Sequence, residues 1–343
     1  MEGKISSLKE LTEYLESDSV KNNLLDEEDE IISRYDFLKR NGLSHLKSDD
    51  IQIWLNNFED NPSHRFIALF ILQSITYRNY EMMEISFTRK IAKDIKNIYE
   101  TVSNRKIDDI EEWLKVIRNA STDEENSSIA VNFYSINKEA GNLTQSSNTI
   151  LRKLTSKTVD QSRILDNITS VKENIKNNNM VIFIDDFLGS GLQATNFFIN
   201  NNLISLLEEL SLDVPLVYMP LMAMPKGIEK LAQDAPNIIV LPCELIGDNS
   251  RLSQHYSLES YLKAFDIKFD QIDIESLFRE MRKYYNFIDR NIWLGWKKAM
   301  LSIVFNWGCP NQTVPIIYHS RNIPTSDSIN NNTFNPLAFR RDV

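Results

Sequence analysis

Cysteine is almost missing from this chain of 343 residues: Cys243 and Cys309 are the two present. They show no paired spacing, which excludes a disulfide framework and a cysteine-rich zinc site and agrees with a reducing compartment. Histidine is as sparse. The four, His45, His64, His255 and His319, have no metal-ligand spacing and join no triad motif, so they read as packing or surface residues. Positive charge is short as well, with 38 Lys and Arg against 48 Asp and Glu and a formal net charge of −10. No global field therefore draws the chain to nucleic acid or to an anionic membrane, and such a partner would need a local basic face. No stretch approaches the roughly 20 apolar residues of a membrane-spanning helix. The opening MEGKISSLKELTEYLESD is charged where a signal peptide has its apolar region. These absences lead to the expectation of a cytoplasmic protein without a membrane segment, and 42% hydrophobic residues over this length support a sizeable core and as many as two domains.

The pattern from Ser6 to about Glu112 is helical. Ile51, Trp54, Leu55 and Phe58 fall at i, i+3, i+4 and i+7 behind a capping sequence Ser48-Asp49-Asp50, and HRFIALFILQSI supplies an almost wholly apolar helix. Beyond the polar stretch 121–128 the rhythm changes. IAVNFYSI, MVIFI, VPLVYMPLM and NIIVLP read as strands; NTILRKL, SRILDNITSVKENI, QATNFFINNNLISLLEEL and KGIEKLAQDA, the last opened by Pro225, read as helices. Strands alternating with helices imply an α/β fold with a parallel sheet flanked by helices. The expected division is a helical region over 1–120 and an α/β domain over 121–343. Further on, ESLFREMRKYYNFI places Leu277, Met281, Tyr284 and Ile288 on one helical face, and AMLSIVF and VPIIYH read as late strands.

The most informative stretch is VIFIDDFLGSGLQA, Val181 to Ala194: a buried strand ends on two acids and enters a glycine loop that opens a helix. GSGLQA formally satisfies a dinucleotide-binding pattern, but Asp185, Asp186, Phe187 and Leu188 intervene between strand and first glycine and would set two negative charges beside a pyrophosphate. A phosphatase-type nucleophilic aspartate is a second reading for Asp185, although the usual companion acid two residues on is replaced by Phe187. In a third, the ligand is a phosphorylated ribose with a metal. Gly189, Ser190 and Gly191 then wrap the 5′-phosphate at the helix N-terminus, while Asp185 and Asp186 meet ribose hydroxyls or a hydrated Mg²⁺. The bland alternative is that the acids serve a turn or cap; one acid would suffice for that.

On these residues the chain resembles the phosphoribosyl-diphosphate (PRPP) loop of the type I phosphoribosyltransferases, in which four apolar residues lead to two acids and a short phosphate loop. The resemblance implies that Asp185 and Asp186 are the ribose-binding and catalytic acids and that Gly189, Ser190, Gly191, Leu192 and Gln193 hold the phosphate. Gly189 and Gln193 depart from the hydroxyl residues common there, leaving Ser190 as the loop hydroxyl. IQIWLNNFEDNPSHRFIALFILQSITYRN, LMAMPKGIEKL, WGCPNQTVPIIY and NPLAFRR extend the likeness to the phosphoribosyltransferase-like effectors of bacterial conflict systems. That resemblance implies a type I phosphoribosyltransferase-like sheet with an N-terminal helical region, a role as an anti-phage effector acting on PRPP or a nucleotide at the anomeric carbon, and Mg²⁺ held by Asp185 and Asp186 through water. It also implies a retron reverse transcriptase with its RNA–DNA hybrid, or another defence-operon protein, as partner. A catalytically inactive ribose-phosphate-binding module is the alternative.

Phosphoribosyl transfer further needs a pyrophosphate loop. GNLTQSSNTILRKL, after the first strand, offers Ser146, Ser147 and Asn148 at a helix start and Arg152 within the helix, with capping as the plain alternative for the hydroxyls. Lys226 follows the strand after the loop, near the sheet edge where α/β ligands collect. LRKLTSK and FRR are the basic segments available to a nucleic acid. Trp293, Trp296 and Trp307 serve either core packing or base stacking.

Overall fold

A computed structural model of the chain describes residues 4–17, 20, 22–58, 61–118, 129–136, 146–155, 157–210, 214–285, 288–323 and 332–338. Among these the strands are β1 (Thr76–Arg78), β2 (Val131–Ser135), β3 (Met180–Leu188), β4 (Leu216–Ala223), β5 (Ile238–Val240), β6 (Glu244–Leu245), β7 (Ile303–Phe305), β8 (Arg321–Ile323) and β9 (Asn332–Phe334). The chain divides into two compact units, Met1–Asn79 with Gly247–Asp342 and Tyr80–Ile246. This differs from a boundary at 120, because the C-terminal segment returns to the N-terminal helices. Ile5 bridges Ile272, with Ile5 N–H donating to Gln271 O at 2.7 Å and Asp273 N–H to Ile5 O at 2.9 Å. β1 pairs in parallel with β7, and Trp54 Nε1 donates to Ile316 O at 3.0 Å. Local periodicity carries no record of such long-range pairing.

Within the first unit, the helix Pro62–Ser74 is the centre of the core. Asn61 caps it by accepting from the Ser63 and His64 N–H groups at 3.0 and 3.2 Å, Pro62 stands at its first turn where no N–H is needed, and most of its residues are buried. Ile51, Trp54, Leu55 and Phe58 are all buried, as their spacing predicts. The helix Ser48–Leu55 starts from Lys47, however, without a side-chain cap. The helix Ile274–Met281 ends before Tyr284, which is 61% exposed and leaves the apolar face expected of it. AMLSIVF does supply β7, whereas Pro315–Ile317 forms a 3₁₀ turn rather than a strand. Trp293 is buried, its Nε1 donating to Phe278 O at 2.6 Å, and Trp307 is buried against Phe305 with ring centroids 4.9 Å apart, so these two pack; Trp296 is exposed.

The second unit is built on an all-parallel sheet of order β2-β3-β4-β5, with β6 continuing beside β4 after β5. Pro220 in β4 and Pro242 beside it lack ladder donors, which accounts for the break between β5 and β6. Leu241 and Cys243 still donate across it to Tyr218 O and Pro220 O at 2.8 and 2.9 Å. On the outer edge of β2, Ile164 adds a parallel bridge to Phe133. SRILDNITSVKENI is therefore not one helix: a 3₁₀ turn Gln161–Arg163 and this bridge precede the helix Ile168–Lys176. The chain thus steps from β2 outward to Ile164 and returns to β3, which then leads inward to β4. The order of strands reverses between β2 and β3, and in α/β sheets ligands collect outside the carboxyl ends at such a reversal. Helix Ser146–Thr155 packs on β2 and β3, and the helices Ile168–Lys176, Leu192–Asn200, Leu203–Glu209 and Pro225–Asp234 share an apolar core with Val181, Phe183, Leu216 and Tyr218. No helix among the described residues is long and apolar enough to cross a membrane.

Candidate functional site

β3 is buried from Met180 to Asp185, as a strand flanked on both sides must be, and becomes half-buried at Asp186 and Phe187 where it outruns β2. The β2–β3 register ends at Ser135 and Ile184. Successive side chains of a strand alternate between faces. Asp185 shares its face with Phe183 and Tyr218, and Asp186 takes the other.

Asp185 is 4% exposed. Its Oδ2 accepts from Tyr218 Oη at 2.7 Å and its Oδ1 from the Asp186 backbone N–H at 2.9 Å. Burial first, and then the neighbouring charge of Asp186, push its carboxyl well above the usual carboxylate range, while the two donors oppose the shift. Burial and the adjacent Asp185 likewise raise the Tyr218 phenol. With one acid buried and the next half-buried, the pair disfavours a second negative charge, which a cation or a set of hydroxyl donors would relieve.

After β3, Gly189 to Gly191 turn the chain into the helix Leu192–Asn200. Gly191 is its N-cap, at φ 79°, in the left-handed region that glycine enters without the steric cost of a Cβ. It brings no capping side chain, so the positive end of a nine-residue helix faces the loop with donors suited to an anion. Ser190 is half-buried; Leu192 and Gln193 are exposed on the first turn. The loop rests on a second glycine. A Cβ at Gly227 would lie 2.4 Å from Gly189 O, and one at Gly191 would lie 2.9 Å from Gly227 O. Behind the loop, Asp234 Oδ2 accepts from Lys230 Nζ at 2.7 Å and from Thr195 Oγ1 at 3.1 Å, tying the helix Leu192–Asn200 to the helix Pro225–Asp234. The Lys230 bond, aided by Thr195, holds the Asp234 carboxyl below its ordinary range.

The sequence-derived residues separate on this geometry. Asp185, Asp186 and Gly189 through Gln193 form one continuous strand, loop and helix start. Lys226 is exposed in the first turn of the helix Pro225–Asp234, one residue before the glycine that supports the loop. The backbone of Ser146, Ser147 and Asn148 opens the helix Ser146–Thr155. Their side chains, and residues 137–145 with Gly141, lie outside the described residues. Arg152 is exposed, about 9 Å along that helix from its start. Sequence reading passed over Tyr218 and the Thr195, Lys230 and Asp234 clamp. Tyr218 had a signal: a hydroxyl in the otherwise apolar stretch LVYMPLM must find a partner when buried.

No group of three or more His, Cys, Asp or Glu able to hold a metal occurs among the described residues. The acidic pair suits an ion that keeps most of its water and shares the ligand's oxygens, which is how Mg²⁺ is commonly held. No curated protein matches the chain in sequence. A strand with two acids near its carboxyl end, a glycine loop and an uncapped helix start agree with the match of one family model to residues 51–340, most of the chain. The protein belongs to the PRTase-CE family of phosphoribosyltransferase-like effectors.

Proposed function

We propose that the second unit binds a phosphorylated ribose, PRPP or a nucleotide, at the carboxyl end of β3, and that the protein acts on the anomeric carbon of this ligand as an effector of anti-phage defence in the cytoplasm. The observation that carries the reading is the continuous arrangement of Asp185 and Asp186, the loop Gly189 to Gly191 and the helix start at Leu192, on the carboxyl edge of a parallel sheet beside its order reversal. Backbone N–H groups and Ser190 take the 5′-phosphate; the acidic pair takes ribose hydroxyls or water around Mg²⁺. Asp185 and Asp186 would hold Mg²⁺ through water, and the ion would supply positive charge to offset that of the departing diphosphate. The chain's own contribution is to fix the phosphate and the sugar so that charge developing at the anomeric carbon meets preset dipoles. Ser146, Ser147, Asn148, Arg152 and Lys226 are the proposed diphosphate-side groups. A retron reverse transcriptase with its RNA–DNA hybrid, or another protein of a defence operon, is the proposed partner.

Thermal unfolding with PRPP and Mg²⁺ tests the reading. Ligand at about 100 times Kd stabilises the folded state by about 2.7 kcal/mol, a rise of about 5–10 °C for a unit of this size. The rise is expected in wild type and absent in the Asp185→Asn, Asp186→Asn double variant; no rise at saturating PRPP would overturn it. The second reading, a ligand-controlled module without turnover, draws on Gly189 and Gln193 standing where the resembling loops carry hydroxyls. It predicts the same stabilisation with no diphosphate release.

A further inference from the structure

We propose that the turn Trp296-Lys297-Lys298 of the first unit is a contact surface for single-stranded nucleic acid, with the indole as a stacking platform for a base and the basic side chains as phosphate contacts. The inference goes beyond the ribose-phosphate reading and does not depend on it. Trp296 is 41% exposed, and its indole N–H has no protein partner among the described residues. Trp54 and Trp293, by contrast, are buried and donate to Ile316 O and Phe278 O. Lys297 and Lys298 are exposed and join no ion pair among the described residues, and Lys297 Nζ lies 5.9 Å from the centre of the Trp296 ring. The surrounding sequence has the local charge that a net acidic chain needs for such a partner. From Arg290 to Ser326 it contains no Asp or Glu, while it carries Arg290, Lys297, Lys298 and Arg321. Successive turns keep the exposed Arg290 on the same compact stretch: Ile292 N–H donates to Asp289 O at 3.1 Å, Gly295 N–H to Ile292 O at 2.7 Å and Lys298 N–H to Gly295 O at 3.0 Å.

The fold holds this turn in a conformation that its own residues disfavour. Lys297, Lys298 and Met300 have φ of 56°, 57° and 56°. Residues other than glycine enter that region rarely and stay there only where their surroundings fix them, a form of strain that gathers at functional sites. Here the surroundings are specific. Trp296 N–H donates to Asn311 O at 2.8 Å, Met300 N–H to Leu294 O at 2.7 Å and Leu252 N–H to Met300 O at 2.8 Å, and Gly295 lies so close to Gln312 O that no Cβ fits between them. The indole and both lysines are thus presented from a fixed backbone, which lowers the cost of ordering them on binding. An exposed ring stacks only on a base whose faces are free, so the strand it suits is single. An anionic membrane offers phosphates too, but Leu294, Ala299 and Met300 are buried around Trp296. One apolar side chain then remains where interfacial insertion needs an apolar face.

The test uses the full chain and a fluorescein-labelled oligo(dT) of about 20 nucleotides, read by fluorescence anisotropy over a salt series. Wild type is expected to bind, more weakly as salt rises, and to prefer the single strand to its duplex with oligo(dA). Trp296→Ala is expected to lower the affinity by about tenfold without changing the slope of log K against log salt, and Trp296→Phe to recover part of the loss. The Lys297→Gln, Lys298→Gln pair is expected to reduce that slope by about 1.4, the loss of two phosphate contacts on a single strand. The replaced side chains are exposed, and Gln meets the same backbone strain as Lys, so melting temperatures are expected at the wild-type value; this separates a lost contact from a lost fold. Absence of binding by wild type, binding that the variants leave unchanged, or equal affinity for the duplex would each overturn the proposal. Binding to vesicles of anionic phospholipid that Trp296→Ala abolishes, with no binding of the oligonucleotide, would overturn it in favour of a membrane contact.

Discussion

At the scale of single residues, glycine makes the site where backbones approach each other. Gly189, Gly191 and Gly227 interlock so closely that a methyl group on Gly227 would sit 2.4 Å from Gly189 O. That oxygen belongs to rigid backbone, and the loop itself must shift to accommodate the methyl. Gly227→Ala is therefore expected to displace the phosphate loop. Because Gly227 occupies a helix, where alanine is otherwise the better residue, the cost falls on the loop and not on the helix. Thermal unfolding should show Gly227→Ala folding with secondary structure intact by circular dichroism while losing most of the PRPP-induced rise. A full rise in this variant would mean that the glycine contact does not shape the site.

At the scale of elements, the first unit contains a buried ion pair between two helices. Arg65 meets Glu28 through both Nε, at 2.8 Å to Oε2, and Nη2, joining Pro62–Ser74 to Asn23–Arg40. Glu28 is 8% exposed. Removing one partner leaves the other charge buried and unmatched, which costs about 3–5 kcal/mol, whereas removing both for apolar groups of similar volume is often nearly neutral. Urea unfolding of Arg65→Met should show a loss of that order, and the Arg65→Met, Glu28→Leu pair should recover most of it. The same scale shows what local sequence can and cannot display. QATNFFINNNLISLLEEL reads as one helix, yet Asn202 at φ 53° splits it into Leu192–Asn200 and Leu203–Glu209. Asparagine tolerates that conformation but does not announce it.

For the whole molecule, two buried histidines contribute to the response to acid. His64 shares a hydrogen bond with Tyr285 Oη at 3.2 Å through Nδ1, and His255 Nδ1 accepts from the Ser257 N–H at 3.2 Å; in both, Nε2 is buried with no protein partner among the described residues. Burial lowers each from 6.5 to about 4. Between those values the unfolded chain binds protons that the folded one does not, so stability is complete above pH 6.5, falls as pH drops toward 4, and levels off below. Urea midpoints measured from pH 7.5 to pH 4 should fall through that window, and the slope should be smaller in a His64→Gln, His255→Gln variant. An identical slope in that variant would place the acid response elsewhere.

The sequence by itself determined the elements whose cause is local. A run of apolar residues makes β3, the small residues after Leu188 turn the chain, and a proline opens the helix after β4; each is set by side-chain size and backbone freedom within a few positions, whereas the strand runs two residues past its acids because Phe187 and Leu188 still pair with β4. The parallel α/β class followed from the alternation of such elements. Tertiary structure alone decided what depends on residues far apart in the chain. The return of Ile272, β7 and Ile316 to the N-terminal helices, the seating of Gly189 on Gly227 and the donation from Tyr218 to Asp185 all join segments that no local pattern links. Two adjacent aspartates look equivalent in sequence. They differ in the fold because a strand turns successive side chains to opposite faces, and only the packing of β4 and its tyrosine makes one of those faces dry.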